Sequence, residues 1–171
     1  MPERFTPLFR QHEDALIRAW VDEIYADRRT ELPALLSNRQ LVDHIPEMLD
    51  ELARLLDSSA SYNEILEAVS RLRIHTQVRF QQGALIDEVA RELIILRDVV
   101  NDFLWRNGVS ATEGDFRELR DALHRTNSFV DELLAQTILV YAASLRPNVQ
   151  TRTSTWPPPR RRKTDFPERS N

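Results

Sequence analysis

The residues whose types and spacing could carry out chemistry lie on both sides of Gly83. His75 and Arg79 are four residues apart, so they project from the same side of a helix. Glu92 and Arg97 follow on the next helix-compatible segment, and all four ionisable side chains are set among apolar residues. Burying such groups costs free energy unless they are paired. The pattern therefore predicts a polar cluster inside the fold, with Gly83 at the junction of the two helices.

The sequence leaves two interpretations of this cluster open. In the first, Glu92 neutralises one arginine and His75 bonds a buried carbonyl group, which together fix the register of the helices. In the second, the four side chains form a small polar pocket. Arg79 or Arg97 would then receive a carboxylate, a phosphate or a partner group, and His75 would respond to pH or to the ligand.

The elements that must position these residues are helices. Apolar residues recur at intervals of three and four along most of the 171-residue chain, and no alternating stretch indicates a strand. We predict an all-α fold, a four- to five-helix bundle with a long C-terminal helix. The helices are expected over about residues 6–25, 40–56, 61–82, 85–106 and 112–145, with end signals at Ser37 or Asn38, at Ser61 with Glu64, at Gly83, and at Thr112 with Asp115.

The last predicted helix carries more apolar residues than one packing seam requires. Its main apolar row has the spacing of coiled coils and bundles, and a stripe of additional apolar residues runs beside it. This width favours a homodimer built partly on the helix, although a long helix that buries both faces within one bundle would have the same pattern. The predicted dimer seam consists of Leu119, Leu123, Val130, Leu133 and Thr137, and the additional residues are Phe129, Leu134, Ile138 and Tyr141.

The chain changes character near Arg146, which predicts a helical domain over residues 1–146 and a Pro/Arg-rich disordered tail over 147–171. From Arg146 onward there are seven Arg or Lys against two Asp or Glu, whereas the first 145 residues carry 16 against 25. Pro157, Pro158 and Pro159 forbid helix and favour an extended conformation. The tail is either a site that binds anions or a partner, or a solubilising terminus. The residues of the first interpretation are Trp156, Arg160, Arg161, Arg162 and Lys163.

Composition excludes several classes of function. The chain has no cysteine, so it has no disulfides or thiolate metal sites. The acidic body is unsuited to nucleic acid, which only the basic tail could contact. No nucleophile elbow, Walker loop or dinucleotide glycine motif occurs, so we expect no enzymatic activity. We also expect no export signal, no apolar run near the ~20 residues of a membrane span, a cytoplasmic location and no cofactor.

Three other functions remain as alternatives. A histidine-phosphotransfer bundle would use His75 or His124 as the phosphate acceptor. A haem or other tetrapyrrole sensor would use one inward histidine as an axial ligand. A pure adaptor would recruit partners through the last helix and the tail and would bind no ligand. A di-iron bundle is disfavoured because the chain has only Asp121-x-x-His124, once.

The pattern His75-x3-Arg79-x3-Gly83, followed by Glu92-x4-Arg97, resembles the N-terminal sensor domain of RsbT co-antagonist proteins. That domain also stands at the front of bacterial histidine kinases. The resemblance covers roughly residues 10–142. It implies a non-catalytic, dimeric signalling input module placed ahead of an output domain or acting on a partner protein, with these five positions as its family residues. Family kinases continue their last helix into an output domain, whereas here the helix gives way to the tail.

Overall fold

The computed structural model describes residues 4–58, 60–107 and 113–145, with the backbone alone for Glu113 and Asp115. These ranges are all-α and contain no strand, which confirms the predicted fold class. The tail, including Trp156 and the four basic residues from 160 to 163, lies outside the described residues. The eight helical segments in these ranges are α1 Phe5–Ala26, α2 Leu32–Leu35, α3 Asn38–Val42, α4 Ile45–Asp57, α5 Tyr62–Arg71, α6 Arg73–Gln81, α7 Ile86–Asn107 and α8 Glu113–Leu145.

Two of the predicted helices are each broken into two segments. The helix expected over residues 40–56 is divided into α3 and α4, because Pro46 lacks an N–H group and its ring would clash with the carbonyl group four residues earlier. The helix expected over residues 61–82 breaks at Leu72. There the backbone changes to a tighter pattern, in which the Leu72 N–H group bonds the Val69 carbonyl at 3.1 Å and the His75 N–H group bonds the Leu72 carbonyl at 3.0 Å.

The end signals within the described residues are confirmed. Ser37 and Ser61 are N-caps, and each forms a reciprocal capping box, with Gln40 and Glu64 respectively. Gly83 has a φ angle of +84°, a conformation that favours glycine, and it follows the end of α6. Thr112 lies outside the described residues, so its capping role stays a prediction.

The first helix is capped by a carboxylate from another helix. Asp57, the last residue of α4, accepts hydrogen bonds from the backbone N–H groups of Arg4, Phe5 and Thr6 at 2.7, 2.6 and 2.8 Å. The first N–H groups of a helix have no partner within the helix, and the positive end of its dipole favours an anion. Asp57 therefore joins the start of α1 to the end of α4.

Asp57→Ala is expected to lower the free energy of unfolding by about 1–2 kcal/mol, because three N–H groups at the start of α1 lose their acceptor. Urea denaturation followed by circular dichroism measures the change. Asp22→Ala, on the exposed surface of α1, is the matched control and should change stability by less than about 0.5 kcal/mol. Equal losses in the two variants would contradict the capping role.

The long helix α8 supplies much of the core. It packs against α7, α5, α4 and α6, while α1 packs against α4 and α7. Leu119, Val130, Leu133 and Thr137 are each at most 2% exposed, and Leu123 is partly buried against the same core. The predicted dimer seam therefore lies inside the bundle of the chain itself. The apolar residues that α8 leaves most exposed are Phe116, Ile138, Leu139 and Leu145.

One described helix has the length and composition of a membrane span. Phe116–Leu145 comprises 30 residues and contains an 18-residue window with a mean hydropathy of 1.2. The helix contains charged residues, Asp131 and Glu132 among them, so it differs from the continuous apolar run whose absence the sequence predicts. A third of that window, 33%, is buried inside the bundle. One such helix is weak evidence for a span, because the core helix of a bundle has the same composition.

Candidate functional site: a buried ion cluster

Two residues of α6 and one of α7 meet in the core. The His75 Nε2 atom lies 2.6 Å from the Glu92 Oε1 atom, and the Arg79 Nε atom lies 3.1 and 3.0 Å from the two Glu92 carboxylate oxygens. The three side chains are 2%, 0% and 1% exposed for His75, Arg79 and Glu92 respectively. We call these three residues the ion cluster. Because its charges are shielded from water, their attraction is far stronger than that of surface pairs.

The remaining N–H groups of Arg79 bind the end of α3. Its Nη1 atom donates to the Gln40 carbonyl at 2.9 Å and to the Gln82 side-chain oxygen at 3.0 Å, and its Nη2 atom donates to the Leu41 carbonyl at 2.7 Å. The last carbonyl groups of a helix have no partner within the helix, and α3 ends one residue later. Arg79 therefore caps α3 and neutralises Glu92 with the same guanidinium group.

The first helix also reaches the ion cluster. Trp20 is fully buried, and its indole Nε1–H group donates to the backbone carbonyl of Glu92 at 3.1 Å. Together with the bonds to α3, this contact means that α1, α3, α6 and α7 converge on Glu92 and Arg79. Sequence reasoning did not include Trp20, Gln40 or Leu41 in the site, because nothing in their spacing indicates that they meet Glu92 and Arg79.

Neighbouring aromatic groups complete the surroundings. The rings of His44 and His75 are 5.6 Å apart at nearly a right angle, and the His75 Nδ1 atom is buried with no hydrogen-bond partner among the described residues. Burial lowers the pKa of His44, and the nearby His75 and Arg79 lower it further, whereas Asp43 opposes this shift. A protonated His44 would place a further positive charge next to Arg79 in a partly buried site, so these surroundings favour the neutral ring.

The helix α8 closes the cluster from the other side. The Tyr141 hydroxyl group donates to the Ala84 carbonyl at 2.6 Å, and its ring packs edge-on against Phe80. Burial and the negative charge of Glu92 raise the pKa of Tyr141 to about 12, so the phenol stays protonated and remains a donor. The sequence had marked Tyr141 only as an additional apolar residue.

Glu92 is the ionised centre of the cluster. Burial alone would raise the pKa of its carboxyl group, but the positive charges and hydrogen bonds of His75 and Arg79 outweigh that effect and lower the pKa below the usual 4.5. The folded protein therefore binds fewer protons than the unfolded chain as the pH falls. The stabilisation from Glu92 is complete above pH 4.5 and is lost as the pH falls through its lower folded-state pKa.

We expect the free energy of unfolding to decline below pH 4.5 and the decline to be shallower in Glu92→Gln, as measured by urea denaturation at several pH values. Some slope will remain. The pKa of Glu51 is lowered by its hydrogen bond with Arg71, and the pKa of Asp57 is lowered because backbone and Thr6 donors outweigh its burial. A variant profile parallel to that of the unmodified protein would contradict the role of Glu92.

The fourth residue of the predicted cluster lies elsewhere. The side chain of Arg97 is 28% exposed, and its Nε atom lies 3.2 Å from the Asp98 carboxylate. Each helical residue turns the side-chain direction by about 100°, so a residue five positions after Glu92 points about 140° away from it. The prediction that Arg97 joins His75, Arg79 and Glu92 is therefore wrong.

The geometry favours a structural role for the ion cluster over a role as a ligand pocket. Arg79 is fully buried, and its Nε, Nη1 and Nη2 atoms all donate to groups of the protein. The four surface cavities described for this structure are lined by other residues. Within the part of the chain that the structure describes, no group of three His, Asp or Glu side chains is arranged to hold a metal ion.

Comparison with known families places this all-α bundle among regulatory signalling domains. The chain belongs to the RsbT co-antagonist protein rsbRD N-terminal domain family, whose sequence profile it matches over residues 14–154. The match confirms the resemblance seen in the sequence. The family points to partner-switching signalling and to protein–protein interaction. No curated protein and no solved structure matches the sequence.

Proposed function

We propose that this chain is a non-catalytic input domain of a bacterial signalling system, located in the cytoplasm, that acts through protein contacts and forms a homodimer. Its output passes to a partner protein or to an output domain. The observation that carries the proposal is an unpartnered apolar face between α5 and α8, next to a core that the ion cluster already fills. We call this surface the α5–α8 face.

The α5–α8 face has the composition of an interface. It surrounds a groove of about 270 Å³, and its most exposed apolar residues are Leu139, 71% exposed, and Leu66, 39% exposed. The Gln136 Nε2 atom in this groove is buried and has no hydrogen-bond acceptor among the described residues. The other residues that line the groove are Val69, Arg73, Glu132, Ala135 and Val140.

A second copy of the chain is the occupant that fits this face. A two-fold symmetric interface brings the same patch of both copies together, so each charged residue on it needs an opposite charge elsewhere on the same patch. Arg73 and Glu132 supply such a pair. The dimer therefore uses residues beside the predicted seam, since the seam itself is buried in each copy.

The ion cluster has a different part in the proposal. It links α6 and α7 to α1 and α3, and α6 also packs against α8. A contact made on α8 can therefore affect α6 directly, and through the ion cluster it can affect α7, α1 and α3. The sensor hypothesis with a ligand on Arg79 is not retained, because every nitrogen of that guanidinium group is engaged.

The histidine-based alternatives have less support. The Nε2 atom of His75 is held by Glu92 and its ring is 2% exposed, so phosphorylation or axial ligation there would require opening the core. His124 is exposed on α8 and lines a cavity with Asp121 and Arg125. The charged neighbours of His124 in this cavity are one arginine and one carboxylate, which do not form a phosphate site or a haem pocket. We therefore favour neither phosphotransfer nor haem binding.

Sedimentation equilibrium of the full chain at tens of micromolar tests the dimer. We expect a mass of twice 20.0 kDa, and we expect Leu139→Glu to reduce it to that of one chain. Leu85→Glu is the matched control, because Leu85 is also exposed, at 67%, but lies before α7 and away from the α5–α8 face. Circular dichroism establishes that each variant is folded. A single-chain mass for the unmodified protein, or equal masses for both variants, would refute the proposed dimer.

A further inference from the structure

A second unpartnered groove lies at the end of the bundle where α6 and α7 meet. It has a volume of about 460 Å³ and contains two strongly exposed leucines, Leu35 at 45% and Leu85 at 67%. We call this surface the end groove. Neither the ion cluster nor the α5–α8 face includes any of its residues. It is lined by Glu31, Ala34, Leu35, Gly83, Leu85 and Glu88.

Both walls of the end groove are held in place. The Glu88 carboxylate accepts hydrogen bonds from the Thr30 hydroxyl group and, at 3.1 Å, from the Glu31 N–H group, which fixes the start of α2. On the opposite wall, the Tyr141 hydroxyl group anchors the carbonyl of Ala84, between Gly83 and Leu85. A groove that is already formed costs little conformational entropy when a segment binds in it.

The position of α8 brings a specific segment to this groove. Tyr141 contacts the loop that forms one wall, and α8 ends one turn later, at Leu145. The chain continues beyond that point into residues 146–171. The segment from Leu145 to Trp156, if extended, spans at most roughly 40 Å, which is ample for a groove beside the end of the helix.

The chemistry of that segment matches the groove. Trp156 offers a large apolar surface, and Pro157 to Pro159 restrict the backbone to an extended form that docks on apolar surfaces at low entropic cost. Arg160 to Lys163 follow directly. The lining of the groove includes the exposed acidic residue Glu31. An apolar anchor followed by basic residues thus meets two exposed leucines with an exposed carboxylate beside them.

We propose that the segment from Trp156 to Lys163 binds the end groove of its own chain, with the Trp156 ring on Leu35 and Leu85 and the basic residues beside Glu31. Because the segment is tethered beside the groove, its effective concentration there is on the order of millimolar, so a weak contact suffices. The binding is independent of the proposed dimer, since it uses different residues.

Nuclear magnetic resonance of the full chain tests this contact. The three tryptophans differ in environment: the Trp20 indole is bonded to Glu92, Trp105 is 64% exposed, and Trp156 is assigned by its loss in Trp156→Phe. We expect nuclear Overhauser contacts between the Trp156 ring and the methyl groups of Leu35 or Leu85. We also expect the Trp156 indole signal to differ from that of an isolated peptide covering residues 151–165.

Matched substitutions make the test specific. Leu85→Glu should move the Trp156 signal to its position in the free peptide, whereas Leu139→Glu, an equally exposed leucine on the α5–α8 face, should leave it unchanged. Glu31→Gln should weaken the contact and Asp98→Asn, an exposed carboxylate on α7, should not. Since Leu85 and Leu139 are both exposed, neither leucine variant should impair folding, and circular dichroism verifies this.

Three results would overturn the proposal. A Trp156 signal identical to that of the free peptide would show that the segment does not bind. A signal that responds to Leu139→Glu and not to Leu85→Glu would place the segment on the α5–α8 face. A signal that reverts to the peptide position on dilution would show that the contact joins two copies. Sedimentation of the same samples reports the dimer separately, so the failure of one proposal is distinguishable from the failure of the other.

Discussion

Glu92→Gln is expected to lower the free energy of unfolding by about 3–5 kcal/mol at neutral pH. The substitution keeps the shape of the side chain but removes the negative charge that two buried residues share. Arg79 remains fully buried, and its positive charge then has two backbone carbonyls and an amide oxygen as partners but no anion. His75 loses the carboxylate that pairs with it, and one of the two acceptor oxygens becomes an NH2 group that can only donate.

Urea denaturation followed by circular dichroism measures this loss at pH 7. Asp98→Asn is the matched control, because it removes a carboxylate from the same helix at a site where the side chain is 65% exposed. Surface pairs contribute little to stability, so the control should change by less than about 0.5 kcal/mol. A loss under about 1 kcal/mol for Glu92→Gln would show that water reaches the cluster.

Arg79→Met is expected to cost a similar amount, about 3–5 kcal/mol. Methionine retains much of the apolar volume, so the loss measures polar contacts and not a cavity. Glu92 would keep only His75 as a partner, and the carbonyl groups of Gln40 and Leu41 would lose their donors inside the core. Buried acceptors left unsatisfied carry the full cost of desolvation.

Arg97→Met makes the matching control with the same chemical change. The Arg97 side chain is partly exposed and paired with its neighbour Asp98, so its loss should fall within about 0.5 kcal/mol. The two arginines were equal candidates in the sequence, and this pair of measurements separates them. Comparable losses at both positions would contradict the assignment of Arg79 to the core.

The double variant Glu92→Gln with Arg79→Met tests whether the two side chains act as a unit. Each single variant leaves a buried group without its partner, whereas the double variant removes both members of the pair. Its loss should therefore be smaller than the sum of the single losses by at least about 1 kcal/mol. Strict additivity would mean that Glu92 and Arg79 do not interact in the folded protein.

The sequence predicted the part of the site that local geometry controls. His75 and Arg79 share a helix face because they are four residues apart, and Gly83 returns the chain so that Glu92 can approach them. The Arg97 prediction failed because adjacency to an apolar row was taken as inward direction, whereas the helical angle between residues 92 and 97 separates them. Spacing along one helix is informative only when the full angle is counted.

Contacts between distant segments could not be predicted from spacing. The partners of the Arg79 side chain include carbonyl groups of Gln40 and Leu41, and a backbone carbonyl has no signature in the residue type. Only one of the two helix breaks was missed for a related reason. Pro46 gave a local signal for the first break, but the break at Leu72 depends on how α5 and α6 pack and has no breaking residue.

The apolar pattern of α8 shows a third limit. A row at intervals of three and four reports that a helix face is covered, but it does not report what covers it. Leu119, Val130 and Leu133 are covered by the helices of their own chain, although the same row would suit a dimer. The face that remains open became visible only once the packing of the other helices was known.

The indole of Trp20 gives the interior of this protein an intrinsic optical probe. It is fully buried and bonded to the backbone of Glu92, so its emission should lie at short wavelength while the helices are docked and move to longer wavelength when solvent enters. Trp105, which is largely exposed, and Trp156 can be replaced by phenylalanine so that Trp20 is the remaining emitter. Fluorescence can then follow the opening of the bundle in real time without an attached dye.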